Sequence, residues 1–216
     1  MRRVAFLLLT LVPLVTSAAP DGCEHQLTPI TISDEDMLGK WLYIGGSSDI
    51  PGSRSLAYLM SSVWLNITAT SQSNVLRILQ TQRISGKCSS LIYDVKFENS
   101  SMLIEEPFYL KEVYLPTDCS DCLLVSEDVA SGGDTFSSLL LFSRRRNVSD
   151  AAMDDLKGKA ECLGMPSPIM VDAKSDLCPE DVPPSEGLSA LNSIFEAKMG
   201  HHVARLLDAL FDALVN

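Results

Sequence analysis

From residue 41 to residue 143 the chain alternates between apolar and polar positions. Runs of about 5 to 10 residues rich in aliphatic, β-branched and aromatic side chains are separated by clusters of Ser, Asn, Gly and Asp, the pattern of half-buried strands joined by tight turns. Eight strands are expected, over 41–47, 61–70, 75–84, 89–97, 102–105, 109–115, 122–127 and 135–143. Turn chemistry sits between them at Ser-Gln-Ser-Asn 71–74, Ser85-Gly86, Glu98-Asn99-Ser100 and Ser131-Gly132-Gly133-Asp134. The first connection, 48–56, is longer and rich in Ser, Pro and Gly, as suits a loop at an open mouth. The period then changes: Ala151, Met153, Leu156 and Ala160 recur at helical spacing between Ser149, a natural N-cap, and Gly164, a natural stop. Eight strands and a flanking helix predict an all-β, antiparallel up-and-down barrel closed at one end.

Both ends of the chain depart from this pattern. Met1-Arg2-Arg3 followed by the apolar run Val4 to Val15 is too short to span a bilayer and reads as a signal peptide over 1–18, with Ala19 as the first mature residue. No later stretch offers about 18 uninterrupted apolar residues, so no transmembrane segment is expected and the product should be soluble, secreted and extracellular, as in a plasma-type fluid. After a linker with three prolines, 179–185, Leu188, Leu191, Ile194, Phe195, Met199, Val203, Leu206, Leu207, Leu210, Phe211 and Leu214 form an amphipathic helix pattern from 187 to 215. Asp208 and Asp212 interrupt its apolar run, which argues against a glycolipid-anchor tail. Docking on the outer wall of the barrel, self-association and contact with a lipid surface are the roles this pattern allows. The expected organisation is therefore a signal peptide over 1–18, a barrel domain over 19–180, and a linker and amphipathic helix over 181–216.

Charge and chemistry narrow the function. The chain carries 17 basic and 28 acidic residues, for a net charge of −11, and loss of Arg2 and Arg3 leaves 15 against 28. That balance disfavours nucleic acid and anionic membranes as partners. Six cysteines, Cys23, Cys88, Cys119, Cys122, Cys162 and Cys178, imply a disulfide framework in an exported chain, with several pairings open to sequence alone. The Cys119-x-x-Cys122 spacing suits either a small bridge or a redox site, although the βαβ context of such redox sites is missing. Asn66-Ile67-Thr68, Asn99-Ser100-Ser101 and Asn147-Val148-Ser149 are N-glycosylation sequons. His25 lies in the N-terminal tail, and the adjacent His201 and His202 do not make the i, i+4 pair of a helical metal site. No nucleophile elbow, phosphate loop or zinc spacing occurs, so neither an enzyme nor a cofactor or metal is expected.

Short motifs carry a resemblance. Gly39-Lys40-Trp41 resembles the Gly-x-Trp signature of the lipocalins, and Leu141-Phe142-Ser143-Arg144 is similar to that family's last-strand motif. The resemblance implies that Gly39, Trp41 and Arg144 form a structural plug, with the guanidinium over the indole at the closed end. Thr117-Asp118-Cys119-Ser120-Asp121-Cys122 resembles the middle motif, Thr-Asp-Tyr-x-x-Tyr, with cysteine at both tyrosine positions. Within the family, Cys23 and the stretches 39–44, 64–68, 162–166 and 176–179 are similar to the branch of α1-acid glycoprotein and apolipoprotein M, and there to the fish saxitoxin- and tetrodotoxin-binding and tributyltin-binding proteins. That likeness implies bridges Cys23–Cys162 and Cys88–Cys178, leaving Cys119 with Cys122.

A cavity lining follows from register. An outward Asn66 turns Val63, Leu65 and Ile67 inward and leaves Trp64 outside. Alternation does the same for Leu91, Tyr93, Val95 and Phe97, and the resemblance to the middle motif implies inward Phe108, Leu110, Glu112 and Tyr114, then Leu123, Val125 and Glu127. Glu112 and Glu127 are the exceptions in a greasy wall, and a one-residue slip would move both to solvent. The expected function is a carrier that sequesters a small hydrophobic, amphipathic or cationic molecule, a toxin, xenobiotic or lipid, in the barrel. The alternative is a lipid-particle or protein-interaction module acting through the C-terminal helix.

Overall fold

The structure, a computed structural model, describes residues 23–131, 133–196 and 200–215, and the expected signal peptide lies outside them. Two single-turn helices, α1 (Cys23–Gln26) and α2 (Asp34–Met37), precede β1 (Gly39–Ser48). The β1–β2 connection, expected to be a loop, contains the helix α3 (Ser53–Leu59). Seven more strands follow: β2 (Met60–Ala69), β3 (Val75–Ile84), β4 (Lys87–Glu98), β5 (Ser101–Ile104), β6 (Tyr109–Leu115), β7 (Cys122–Ser131) and β8 (Asp134–Ser143). Each pairs antiparallel with the next, and β8 pairs with β1, so the sheet closes into an eight-stranded barrel without open ends.

Outside the barrel lies α4 (Asp150–Cys162), capped by the Ser149 hydroxyl, which accepts from the Ala152 amide at 3.2 Å. Its Ala152, Leu156 and Ala160 bury against Leu115, Leu124, Leu139 and Leu141, so this part of the wall is apolar on both faces. The strands β9 (Ile169–Met170) and β10 (Pro184–Glu186) and the helices α5 (Gly187–Glu196) and α6 (Gly200–Val215) complete the chain.

Two splits shape the mouth. β1 pairs with β2 only from Gly39 to Leu42, and β9 takes the freed edge at Gly45 and Gly46. A side chain at position 45 would meet the Met170 sulfur at 2.3 Å and the Ile169 carbonyl at 2.8 Å, so glycine is what lets β9 approach. On the other side β4 pairs with β5 only from Lys96 to Glu98, and β10 runs parallel to the freed edge, Pro184 to Glu186 beside Ser90 to Ile92. From there α5 reaches from β4 towards β7 across the opening, with Leu188 and Leu191 packed on the core of the lumen. α6 then rests on α3.

This placement corrects the sequence reading of the C-terminal segment. Its single expected helix is two, part of its expected linker is a strand, and it covers the mouth instead of the outer wall. The reason is chemical: Asp208 and Asp212 of α6 turn inward onto α3, whereas Leu206, Leu207 and Leu210 are 70%, 43% and 52% exposed.

Disulfides join Cys23 to Cys162, Cys88 to Cys178 and Cys119 to Cys122. The first ties the N-terminal segment to α4, and the second ties the segment after β9 to β4. Trp64 is on the outer face of β2 yet buried, because residues 176–178 cover it: its indole N–H donates to the Cys178 carbonyl at 3.0 Å and the Lys40 ammonium lies 4.4 Å above the ring.

Candidate ligand-binding site

The closed end is built first by the plug residues. Gly39 opens β1 at a φ of +93°, a conformation that favours glycine, and Trp41, two residues on, faces the lumen. The Trp41 indole N–H donates to the Met37 carbonyl at 2.8 Å. Arg144, just past β8, places its guanidinium carbon 3.4 Å from the centre of the Trp41 ring and donates to the Lys40 and Leu38 carbonyls at 2.9 and 2.7 Å. The hydrogen bonds fix the guanidinium over the indole face, and the stacked pair seals the barrel floor.

Above this floor lies a cavity of about 310 Å³. Its walls are set by strand alternation: Val63, Leu65 and Ile67 from β2, Tyr93 and Val95 from β4, Leu110 and Glu112 from β6, and Leu123, Val125 and Glu127 from β7 all reach it. Phe97, Phe108 and Tyr114 are buried in the surrounding core and do not line the cavity, which corrects their expected place. Tyr43, Gln80, Ser138, Leu140 and Phe142 line it without having been anticipated, as do Arg54 of α3 and Leu191 of α5.

Glu112 and Glu127 are direct partners across β6 and β7 and share the cavity face. Directly opposed side chains in an antiparallel pair have Cβ atoms about 5 Å apart, where like charges repel. Burial, and next the charge of Glu127, pushes the Glu112 carboxyl up to about 8. Burial likewise raises the Glu127 carboxyl. The Tyr93 and Tyr43 hydroxyls are held in their neutral form by burial, reinforced by the neighbouring carboxylates. Tyr93 is also fixed by donating to the Gln80 side-chain carbonyl at 2.9 Å. The Tyr114 hydroxyl is buried two positions along the same strand face from Glu112; it helps to stabilise that carboxylate, and burial together with the carboxylate holds the tyrosine in its neutral form.

No cation balances the pair from within. Among the described lining residues the one positive group is Arg54, and it stands at the mouth engaged with Asp212 and the Ser167 carbonyl. Two carboxylates buried together without a counter-ion are costly, and the cost is relieved by a shared proton, by water or by a cation entering the cavity. The three cysteine–carboxylate neighbours Cys119, Asp121 and Cys122 lie at the other end of β7 and form a bridge beside Asp121, not a cation site of the cavity.

All three sequons lie at the closed end. Asn66 is the β2 partner of Lys40, Asn99 is in the β4–β5 turn whose Ser100 bonds to Ile32 ahead of α2, and Asn147 follows Arg144 by three residues. Asn99 and Asn147 are exposed and Asn66 half-buried on the outer face.

A closed eight-stranded barrel, a plugged floor and an apolar chamber open at one end define a lipocalin. Comparison with solved structures agrees: the siderocalin Ex-FABP, described as functioning through dual ligand specificities, aligns with a TM-score of 0.57 at 18% identity over 70% of this chain and 99% of its own. The siderocalin Q83, described as having a dual ligand binding mode, aligns at 0.58 and 17% over 69% and 96%. No curated protein matches the sequence. The model of the ApoM domain matches residues 17–181, and the chain belongs to that family of lipocalins. Lipocalins are in general binding and transport proteins, not enzymes.

Proposed function

We propose that this protein is a secreted carrier that encloses a hydrophobic molecule with a cationic head, the head seated on Glu112 and Glu127. The paired carboxylates on the cavity wall carry this reading: nothing in barrel closure needs them, and apolar residues at both positions would be more stable. The surrounding wall supplies the hydrophobic part of the site, and Tyr93, Tyr43 and Gln80 add hydrogen-bonding groups at the depth of the carboxylates. Organic amines and guanidinium compounds, including toxins and xenobiotics of that kind, suit such a chamber. Secretion is supported by the N-terminal segment, by the sequons, and by cysteines that are all in disulfides.

Titration of a hydrophobic amine and its isosteric fatty acid tests the reading. Wild type should prefer the amine, and Glu112→Gln or Glu127→Gln should each weaken amine binding by about tenfold or more, some 1.4 kcal/mol, with little effect on the acid. Equal affinities throughout, or tighter binding of the acid, would remove the cationic head from the proposal.

A second reading, attachment to a lipid particle through α6, is favoured by the exposed leucines Leu206, Leu207 and Leu210. Flotation of the protein with neutral phosphatidylcholine vesicles, lost on changing those leucines to serine, would support it.

A further inference from the structure

The barrel strands alone leave the cavity with an open side. β4 pairs with β5 only from Lys96 to Glu98, which leaves its edge from 87 to 95 free of β5. β10 closes the edge and α5 closes the mouth, so the last part of the chain completes the ligand chamber. The fit is close at one point in particular. A Cβ on Gly187 would come within 2.6 Å of the Tyr93 ring and 3.2 Å of the Ile92 carbonyl, so the glycine lets the chain turn from β10 into α5 directly against a cavity-lining residue. One turn on, Leu191 reaches the cavity itself.

α5 is held by Leu188 and Leu191 on the lumen core, whereas α6 is held on α3 by polar contacts. The N-cap of α3 is Gly52, which has no side chain to cap the helix, and Asp208 of α6 fills that role across the gap. Its carboxylate accepts from the Gly52 amide at 2.8 Å, the Ser55 amide at 2.8 Å and the Ser55 hydroxyl at 2.6 Å. One turn further, Asp212 accepts from Arg54 Nε at 2.8 Å and Nη2 at 2.7 Å and from the Tyr58 hydroxyl at 3.0 Å. Ser53, Arg54, Leu56 and Ala57 of the same short helix line the cavity. Among the described residues the contact between α6 and α3 thus carries a set of half-buried, charge-assisted hydrogen bonds, with Ala204 close to Gly52 and Leu206, Leu207 and Leu210 turned outward. Behind it the chain returns through residues 179–183, outside any helix or strand, to the anchored Cys178.

We infer that β10, α5 and α6 form a gate over the ligand chamber, latched by Asp208 and Asp212 on α3, and that ligand exchange requires the latch to open. The inference rests on the carrier reading only for the ligand; the gate itself is a property of the chain. Release of the polar latch removes the hydrogen bonds of α6 to α3, and α5 then parts from the lumen core at the half-buried Leu188 and Leu191 while the barrel ladder and the core under α4 stay in place.

Two measurements on the full-length protein test it. Hydrogen exchange in the absence of ligand compares wild type with the double variant Asp208→Ala, Asp212→Ala. The variant should exchange about tenfold faster in β10 and α5, while β2, β3, β6, β7 and β8 stay unchanged and report that the barrel is intact. Stopped-flow fluorescence with dansylcadaverine, a hydrophobic amine, should then show association and dissociation accelerated by similar factors, with Kd moved by less than about threefold. Unchanged exchange in β10 and α5 would overturn the latch. Faster exchange with unchanged probe kinetics would overturn the gate. Wild type that fails to bind dansylcadaverine, while its arm still responds to the double substitution, would sink the cationic-ligand reading and leave the latch supported.

Discussion

Glu112 and Glu127 set two opposing demands on one pair of side chains. Folding raises both carboxyls from an ordinary value of 4.5, so the folded, unliganded protein keeps protons that the unfolded chain has already lost. Stability must then fall as pH rises from the ordinary carboxylate range up through the raised one, which for Glu112 reaches about 8. Glu127→Gln removes one of the two charges and should raise the Tm of the unliganded protein by about 3 °C or more near pH 9, with a smaller gain near pH 6; thermal unfolding followed by circular dichroism checks the widening difference. Ligand binding runs the other way. A cation displaces protons from the pair, so the affinity for a hydrophobic amine should increase with pH across the same range and flatten in Glu112→Gln, as isothermal titration would show. A residue that weakens the empty protein and strengthens the loaded one is the expected mark of a binding group.

Legibility followed the surroundings of each element. On β4 the outward Asp94, Lys96 and Glu98 alternate with inward Tyr93, Val95 and Phe97, because water covers one face, and Arg77 of β3 meets Asp94 there at 2.7 Å. On β2 the register followed from an outward Asn66, whereas on β6 and β7 it followed from the resemblance of 117–122 to the lipocalin middle motif, since Glu112 and Glu127 break the apolar alternation and Leu124 is buried on the outer face. On β8 the signal is absent: Leu139 and Leu141 bury under α4 while Leu140 and Phe142 face the cavity, so the stretch reads as one apolar run and its lining residues pass unnoticed. The two splits were equally hidden, since a strand's departure from its neighbour leaves no trace in its own composition. The C-terminal pattern misled in a further way. An amphipathic helix announces two faces and its apolar face is ordinarily the inward one, yet α6 turns Asp208 and Asp212 onto α3, because their partners, an uncapped helix start and Arg54, belong to a segment that reads as loop.

Element-level predictions follow from these contacts. Leu156→Ala empties the fully buried contact between α4 and the wall and should cost about 2–5 kcal/mol in urea unfolding while leaving amine affinity nearly unchanged. Gly187→Ala should do the reverse. Its new methyl group collides with Tyr93 at the junction of β10 and α5, so amine binding should weaken and exchange in α5 should quicken, with the barrel's own unfolding midpoint little altered.

At the scale of the whole molecule the features sort to two poles. The floor pole holds the Trp41–Arg144 plug and α2; the mouth pole holds α3, α5 and α6, with Leu56 and Leu59 of α3 and the outer leucines of α6 exposed. Occupied sequons would all belong to the floor. Glycosidase treatment followed by mass measurement should release three N-linked glycans, and Asn→Gln changes at the three positions should leave amine affinity within about twofold, since none lines the chamber.

The siting of Asn66, Asn99 and Asn147 has a consequence for how the molecule meets others. Glycans on all three sequons would form a bulky, hydrated skirt on one hemisphere that keeps lipids, matrix and other proteins at a distance on that side. The opposite hemisphere would be left bare, and there the exposed leucines of α3 and α6 and the mouth lie. A molecule so dressed has a front and a back: whatever docks with it is turned to face the opening through which its cargo passes.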